Sequence, residues 1–170
     1  MEPERCAECG FDATLLTNKD AITALRSLGR RWRDAFEDVP DEDLRRRPDP
    51  NTWSALEYAA HTRDVLALLG IALGEILDDT RPVYPAMEPD PVGPEGAADH
   101  GYNQLDPGRV LNSLDARARE IADRASEALP EHFRRTATIG TQTNDAAGVP
   151  KHAVHDATHH LKDVARILKH

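Results

Sequence analysis

Four of the eight histidines of this 170-residue chain fall within one short stretch, Lys151-His-Ala-Val-His-Asp-Ala-Thr-His-His-Leu-Lys-Asp-Val164, interleaved with Asp156 and Asp163. Imidazoles and carboxylates at this density are the donor set of a divalent-metal site. Residues four apart on a helix lie one above the other, so Asp156/His160 and His155/His159 are two ligand pairs that a single helix can present. One helix does not close a site. The third ligand must come from elsewhere in the chain, and His61 is the candidate, because it shares a helical side with Tyr58, Val65 and Leu68 and so points inward.

The elements that must position these residues are helices. Pro150 fits a first turn and nothing before His170 breaks the run, which predicts a last helix over 150–169. Its apolar stripe is Val154, Ala157, Leu161, Val164 and Leu168. At about 100° per residue, Asp156 and His160 flank that stripe, whereas His155 and His159 fall almost opposite it and are expected to face solvent. The phase therefore favours Asp156 and His160 as the inward pair. Two imidazoles are on average the better divalent ligands, which keeps His155/His159 open as the alternative.

His61 belongs to a helix with a strong start signal, Trp53-Ser54-Ala55-Leu56-Glu57-Tyr58. Ser54 and Glu57 have capping-box spacing, Trp53 and Tyr58 stand where a hydrophobic staple packs, and the helix is expected to run to about Asp79. A first helix over 18–38, begun by Thr17 or Asn18, carries Ile22, Leu25, Leu28, Trp32 and Phe36 at spacings of three and four. Trp32 is read as core. Asp106-Pro107 opens a third helix to about Leu129, with Val110, Leu114, Ile121 and Leu129 on its apolar side. Four amphipathic helices around one core make an all-α four-helix bundle over 18–170, with residues 1–17 as an N-terminal extension outside it. Such bundles hold metal sites between facing helices.

Two stretches lack a helical period. Residues 80–107 contain six of the twelve prolines together with Gly93, Gly96 and Gly101, the composition of a lid, a binding loop or a plain crossover. His100 and Tyr102 are its side chains with the most chemical potential. Residues 130–149 are polar and read as loop, because Thr136–Ile139 has no evident second strand to pair with.

Composition excludes several classes of function. A net charge of −9 argues against a nucleic-acid partner, which draws on clustered Lys and Arg. No apolar run approaches the roughly 20 residues of a membrane span, and the N-terminus is too charged for a signal peptide, so a cytoplasmic protein is expected. The skew of 17 Arg against 4 Lys suggests a GC-rich genome. Cys6 and Cys9 form one C-x-x-C, the shape of a zinc knuckle without the usual second pair. A redox pair, a zinc site completed by other residues or another chain, and an inert relic all fit it, and the cysteines are kept out of the main site.

Trp53-Ser54-x-x-Glu57-x-x-x-His61 resembles the W-S-x-x-E-x-x-x-H signature of the DinB-like superfamily, and Asp156-x-x-x-His160-x-x-Asp163 is similar to the closing E-x-x-x-H-x-x-D of its mycothiol-dependent branch. The resemblance covers roughly residues 18–169. It implies a four-helix bundle binding one divalent metal, usually zinc or nickel, through three side chains, here His61, Asp156 and His160. Some members use that metal to activate mycothiol, bacillithiol or glutathione for transfer or isomerisation, and others have no demonstrated activity. The chain departs from the pattern in carrying Asp at the middle ligand position, where one branch has His and the other Glu.

Three protein ligands leave a coordination position open, as in catalytic rather than structural zinc sites. A thiol entering that position would be bound as thiolate. The expected partners are then a small-molecule thiol and an electrophilic substrate, with a homodimer left open as assembly state. Glu57 and Asp163 are expected to orient the ligand imidazoles, while Arg63 and Arg166 are read as solvent-exposed. The expected function is a thiol-dependent S-transferase or isomerase; the alternative is a non-catalytic metal-binding protein of stress response or sensing.

Overall fold

Thr17 and Ser54 each begin a long helix by accepting from the backbone N–H three residues on, while Asp20 and Glu57 reach back to the cap N–H. Both are complete capping boxes. The computed structural model of the chain, which describes residues 4–78, 81–84, 100–139 and 142–169, places four long helices after these and later signals. They are α1 (Asn18–Phe36), α3 (Ala55–Leu77), α4 (Pro107–Glu127) and α5 (Gly148–Ile167), with a one-turn α2 (Asp41–Arg45) between the first two. The staple ahead of α3 is formed, with the Trp53 and Tyr58 rings 5.3 Å apart and edge-on. Asp106 caps α4, and Pro107 sits in its first turn.

Around the bundle, α1 packs on α4, α4 on α3, α3 on α5, and α5 on α1. The consecutive helices α1 and α3 therefore lie diagonally across the core, and α5 lies between them. This order brings His61 of α3 next to the histidine-rich α5. The core is filled by Leu25, Leu28 and Trp32 of α1, Leu56, Leu66 and Leu73 of α3, Leu114 and Ile121 of α4, and Val164 of α5. The α1–α4 approach is close at Gly29, where a Cβ would lie 2.1 Å from Asp115 Oδ1. Among the described residues no helix is long and apolar enough to cross a membrane.

Several expectations need correction. Thr136–Ile139 is a strand (β4), and its partners are a two-residue strand and a short polar one. It pairs antiparallel with Gln142–Asp145 (β5) and parallel with Val83–Tyr84 (β3), in an order β3-β4-β5. The stretch 80–107 is thus not structureless throughout: it contributes β3 and a 3₁₀ turn over Tyr102–Gln104. Its portion 85–99, on which a lid reading would rest, lies outside the described residues. Leu68 is 57% exposed rather than inward with His61. The reason is that α3 is apolar nearly all round, so its period sets the phase poorly. Leu129 lies beyond the end of α4 and is also exposed.

Residues 4–16 lie on α5. Strands β1 (Arg5–Cys6) and β2 (Phe11–Asp12) form a hairpin. The Phe11 ring stacks on His155 at 4.6 Å, Leu16 packs against the core, and Ala13 is buried.

Candidate metal centre

His61, Asp156 and His160 are brought together. One potential ligand atom from each lies within 4.8 Å of the others, at the α3–α5 interface. His61 is 9% exposed, its ring 4.9 Å from Trp53 and 5.2 Å from His160, nearly perpendicular to the latter. The staple that starts α3 thus also walls the cluster, since His61 is one turn beyond Tyr58.

Each His160 nitrogen has a distinct neighbour. Nδ1 is 3.2 Å from Asp163 Oδ2, so it carries the proton and donates to that carboxylate. In the neutral imidazole Nε2 then presents its lone pair, 3.6 Å from Asp156 Oδ1. A carboxylate holding the far nitrogen of an imidazole is the arrangement that fixes a ligand's tautomer. The second Asp156 oxygen, Oδ2, is buried without a hydrogen-bond partner. A buried carboxylate oxygen left this way is costly unless a cation or a proton neutralises it.

These observations fit a divalent ion. For bond lengths of about 2.0–2.1 Å to nitrogen and 2.0–2.2 Å to oxygen, two tetrahedral ligand atoms lie about 3.4 Å apart. The Nε2–Oδ1 separation of 3.6 Å is close to that edge.

A cleft of about 140 Å³ opens beside the cluster, lined by Asn51, Trp53, Tyr58, His160 and Asp163. A larger cleft of about 540 Å³ lies apart from it, between Asp38–Pro48 and the end of α5. Burial, and then the Asp163 carboxylate, push the Tyr58 phenol up, so it is a neutral donor at physiological pH.

Asp163 takes the orienting role expected of it, and Arg166 holds its other oxygen at 2.8 Å. Glu57 does not. Its carboxylate receives Arg47 Nε at 2.8 Å and the Ser54 N–H at 2.8 Å on Oε2, and Arg47 Nη2 on Oε1, so it is an ion-paired cap. Arg63 is half-buried and pairs with Asp64, while Arg166 is exposed. The Tyr102 hydroxyl donates to Asp64 at 2.9 Å, and His100 stacks on the Tyr102 ring. His155 and His159 are not solvent-facing, with side chains 15% and 21% exposed. Cys6, Cys9 and Glu4 of the hairpin cover them.

Sequence reasoning missed Asn51 at the cleft and Asn103, which accepts from Ser54 Oγ at 2.7 Å and donates to the Arg45 carbonyl. No local pattern marks either. It also missed Glu4, which meets α5 only through tertiary structure.

A four-helix bundle with a His/Asp/His cluster between adjoining helices defines the class. The chain belongs to the DinB superfamily, whose family model matches residues 24–164. Among solved structures it is similar to YfiT from Bacillus subtilis, described as a probable metal-dependent hydrolase with an unusual four-helix bundle topology. That match has a TM-score of 0.76 at 15% identity over 89% of this chain and 86% of that one. The chain is also similar to the mycothiol-dependent maleylpyruvate isomerase, with a TM-score of 0.65 at 12% identity over 89% of this chain and 62% of that one. At these identities the likeness is one of fold. No curated protein matches the chain.

Proposed function

We propose that the chain is a divalent-metal-dependent enzyme of low-molecular-weight thiols, an S-transferase or isomerase using a thiol such as mycothiol, with zinc or nickel held by His61, Asp156 and His160. The observation that carries this reading is the buried, unpartnered Asp156 Oδ2 within a cluster whose His160 is already oriented by Asp163. A bound cation would supply Lewis acidity, lowering the pKa of a thiol in its remaining coordination position into the neutral range.

The chain's own groups do the rest. His61 and His160 offer imidazole nitrogens and Asp156 one negative charge, which around a divalent cation would leave net positive charge to attract an anionic sulfur. Asp163 keeps the His160 proton on Nδ1 and so prevents that ring from swapping its ligand nitrogen. Trp53 and Tyr58 provide apolar walls to the cleft, and Asn51 with the Tyr58 hydroxyl provides hydrogen-bonding groups for a polar thiol. The mycothiol dependence in the description of one structural relative, and the Arg-rich composition, favour mycothiol among the thiols. A cytoplasmic setting is part of the proposal, since these thiols are maintained there.

The test incubates zinc- or nickel-loaded protein with mycothiol, bacillithiol or glutathione and the electrophile monochlorobimane. Conjugation faster than with His61→Ala is expected for at least one thiol. Rates equal to His61→Ala with all three would leave the second reading, a non-catalytic metal-binding protein. That reading draws on the cleft, whose roughly 140 Å³ falls below the roughly 300 Å³ at which small-molecule sites begin.

A further inference from the structure

The C-x-x-C motif is not used by the bundle cluster. Cys6 ends β1, and the chain turns through Ala7-Glu8-Cys9-Gly10 before β2 returns at Phe11. Gly10 has φ of 73°, a left-handed conformation that favours glycine, and its N–H donates to the Cys6 carbonyl at 2.9 Å. The turn aims backbone N–H groups at both sulfurs, those of Cys9 and Glu8 at Cys6 and that of Phe11 at Cys9. Such donors stabilise thiolate. The Cys6 thiol is drawn down to about 6, first by the Cys9 N–H and then by His155. Burial, together with Cys6 alongside, raises Cys9.

Opposite the turn lie His155 and His159, one helical turn apart on α5. One ligand atom from each of Cys6, Cys9, His155 and His159 falls within 4.8 Å of all the others. We propose that these four side chains form a closed structural zinc site that fastens the N-terminal hairpin to α5.

Three features carry the assignment. First, Cys6 Sγ lies 3.6 Å from His159 Nδ1. Bond lengths of about 2.3 Å to sulfur and about 2.05 Å to nitrogen at the tetrahedral angle place two such ligands about 3.6 Å apart. Secondly, His155 Nδ1 is 2.7 Å from Glu4 Oε1, while its buried Nε2 makes no hydrogen bond of ordinary geometry and is left to the Cys6 side. Glu4 thus holds the far nitrogen and the ring offers a lone pair inward, the carboxylate–histidine–metal arrangement.

Thirdly, the ring nitrogens of the two adjacent histidines are divided between two clusters. His159 turns Nδ1 to Cys6, and His160 turns Nε2 to Asp156. The remaining nitrogens, His159 Nε2 and His160 Nδ1, lie 3.6 and 3.2 Å from the same oxygen, Asp163 Oδ2. The α5 sequence therefore serves two centres, one on each side of a shared carboxylate.

Four ligands of S₂N₂ type leave no open position, so the site is structural. The hairpin needs such a fastening. Its strands are two residues each, and a two-stranded hairpin alone is marginal in water. Its other ties to α5 are the Phe11–His155 stack, the Glu4 carboxylate on His152 and His155, and the Lys162 and Lys151 bonds to the Cys9 and Ala13 carbonyls.

The experiment uses the full chain loaded with zinc and, separately, with cobalt(II). Zinc content of about two per chain is expected, falling to about one in Cys6→Ser/Cys9→Ser and also in His155→Ala. The cobalt form should show a near-ultraviolet sulfur-to-cobalt charge-transfer band without added thiol. That band should persist in His61→Ala, which removes only the bundle centre, so failure of the bundle reading is seen separately as an unchanged zinc count in that variant. The wild-type cobalt spectrum does not depend on any variant folding. A cobalt-loaded wild-type chain without the charge-transfer band would overturn the proposal, as would an unchanged zinc count in the cysteine double variant.

Discussion

Replacing Asp163 by Asn leaves the shape of the side chain but removes the charge that holds His160 in place. Asp163 Oδ2 is 3.2 Å from His160 Nδ1, a bond near the long end of the N–H···O range, and its other oxygen is held by Arg166 at 2.8 Å. Loss of a carboxylate behind a ligand imidazole costs about 10–100-fold in metal affinity. The long bond places Asp163→Asn near the lower end, about 10-fold or roughly 1.4 kcal/mol. The amide can also present its NH₂ to Nδ1, which would favour the wrong tautomer, so the loss should not vanish. The assay is zinc competition against a chromophoric chelator, run in the Cys6→Ser/Cys9→Ser background so that only the bundle centre is counted. Unchanged affinity would show that His160 does not bind through Nε2 with Nδ1 on Asp163.

Two further perturbations follow from the same geometry. Asp156→Ala and His160→Ala should each weaken metal binding at the bundle centre by more than Asp163→Asn does, while His155→Ala and His159→Ala leave that centre filled; zinc titration of each variant checks this, and the reverse ranking would move the site to the other pair. Glu57→Gln should destabilise the fold by about 2–3 kcal/mol, less than the roughly 3–5 kcal/mol of a fully buried pair because Arg47 remains 24% exposed. Burial alone would raise the Glu57 carboxyl, but Arg47 and the Ser54 N–H more than reverse it, leaving it below its ordinary value of 4.5. Its stabilisation is therefore complete above that value and lost as pH falls through the lowered one. Chemical denaturation at a series of acidic pH values should show a shallower acid decline in Glu57→Gln than in the wild type, and identical slopes would contradict the pairing.

What the sequence reveals follows the range of the interactions involved. The start of α3 was legible because the capping box and staple act within five residues, Trp53 to Tyr58. The juxtaposition of Asp156 and His160 was legible because helical phase relates neighbours on α5. Strands β3, β4 and β5 were not, because a two-residue strand and the polar Gln142–Asp145 carry no apolar alternation and are held by backbone pairing. The exposure expected of His155 and His159 holds for a bare helix, whereas a hairpin about 150 residues away in sequence covers them. Both halves of that contact, C-x-x-C and H-x-x-x-H, are visible in the sequence. Their juxtaposition is a tertiary fact.

His61, Asp156 and His160 are proposed to hold one metal ion between α3 and α5. Anomalous scattering from crystals of the zinc-loaded protein tests it most directly. A zinc peak bonded to these three side chains at about 2.0–2.2 Å from each ligand atom is expected, absent in His61→Ala crystals. Zinc-loaded crystals with no peak among those three residues would contradict it.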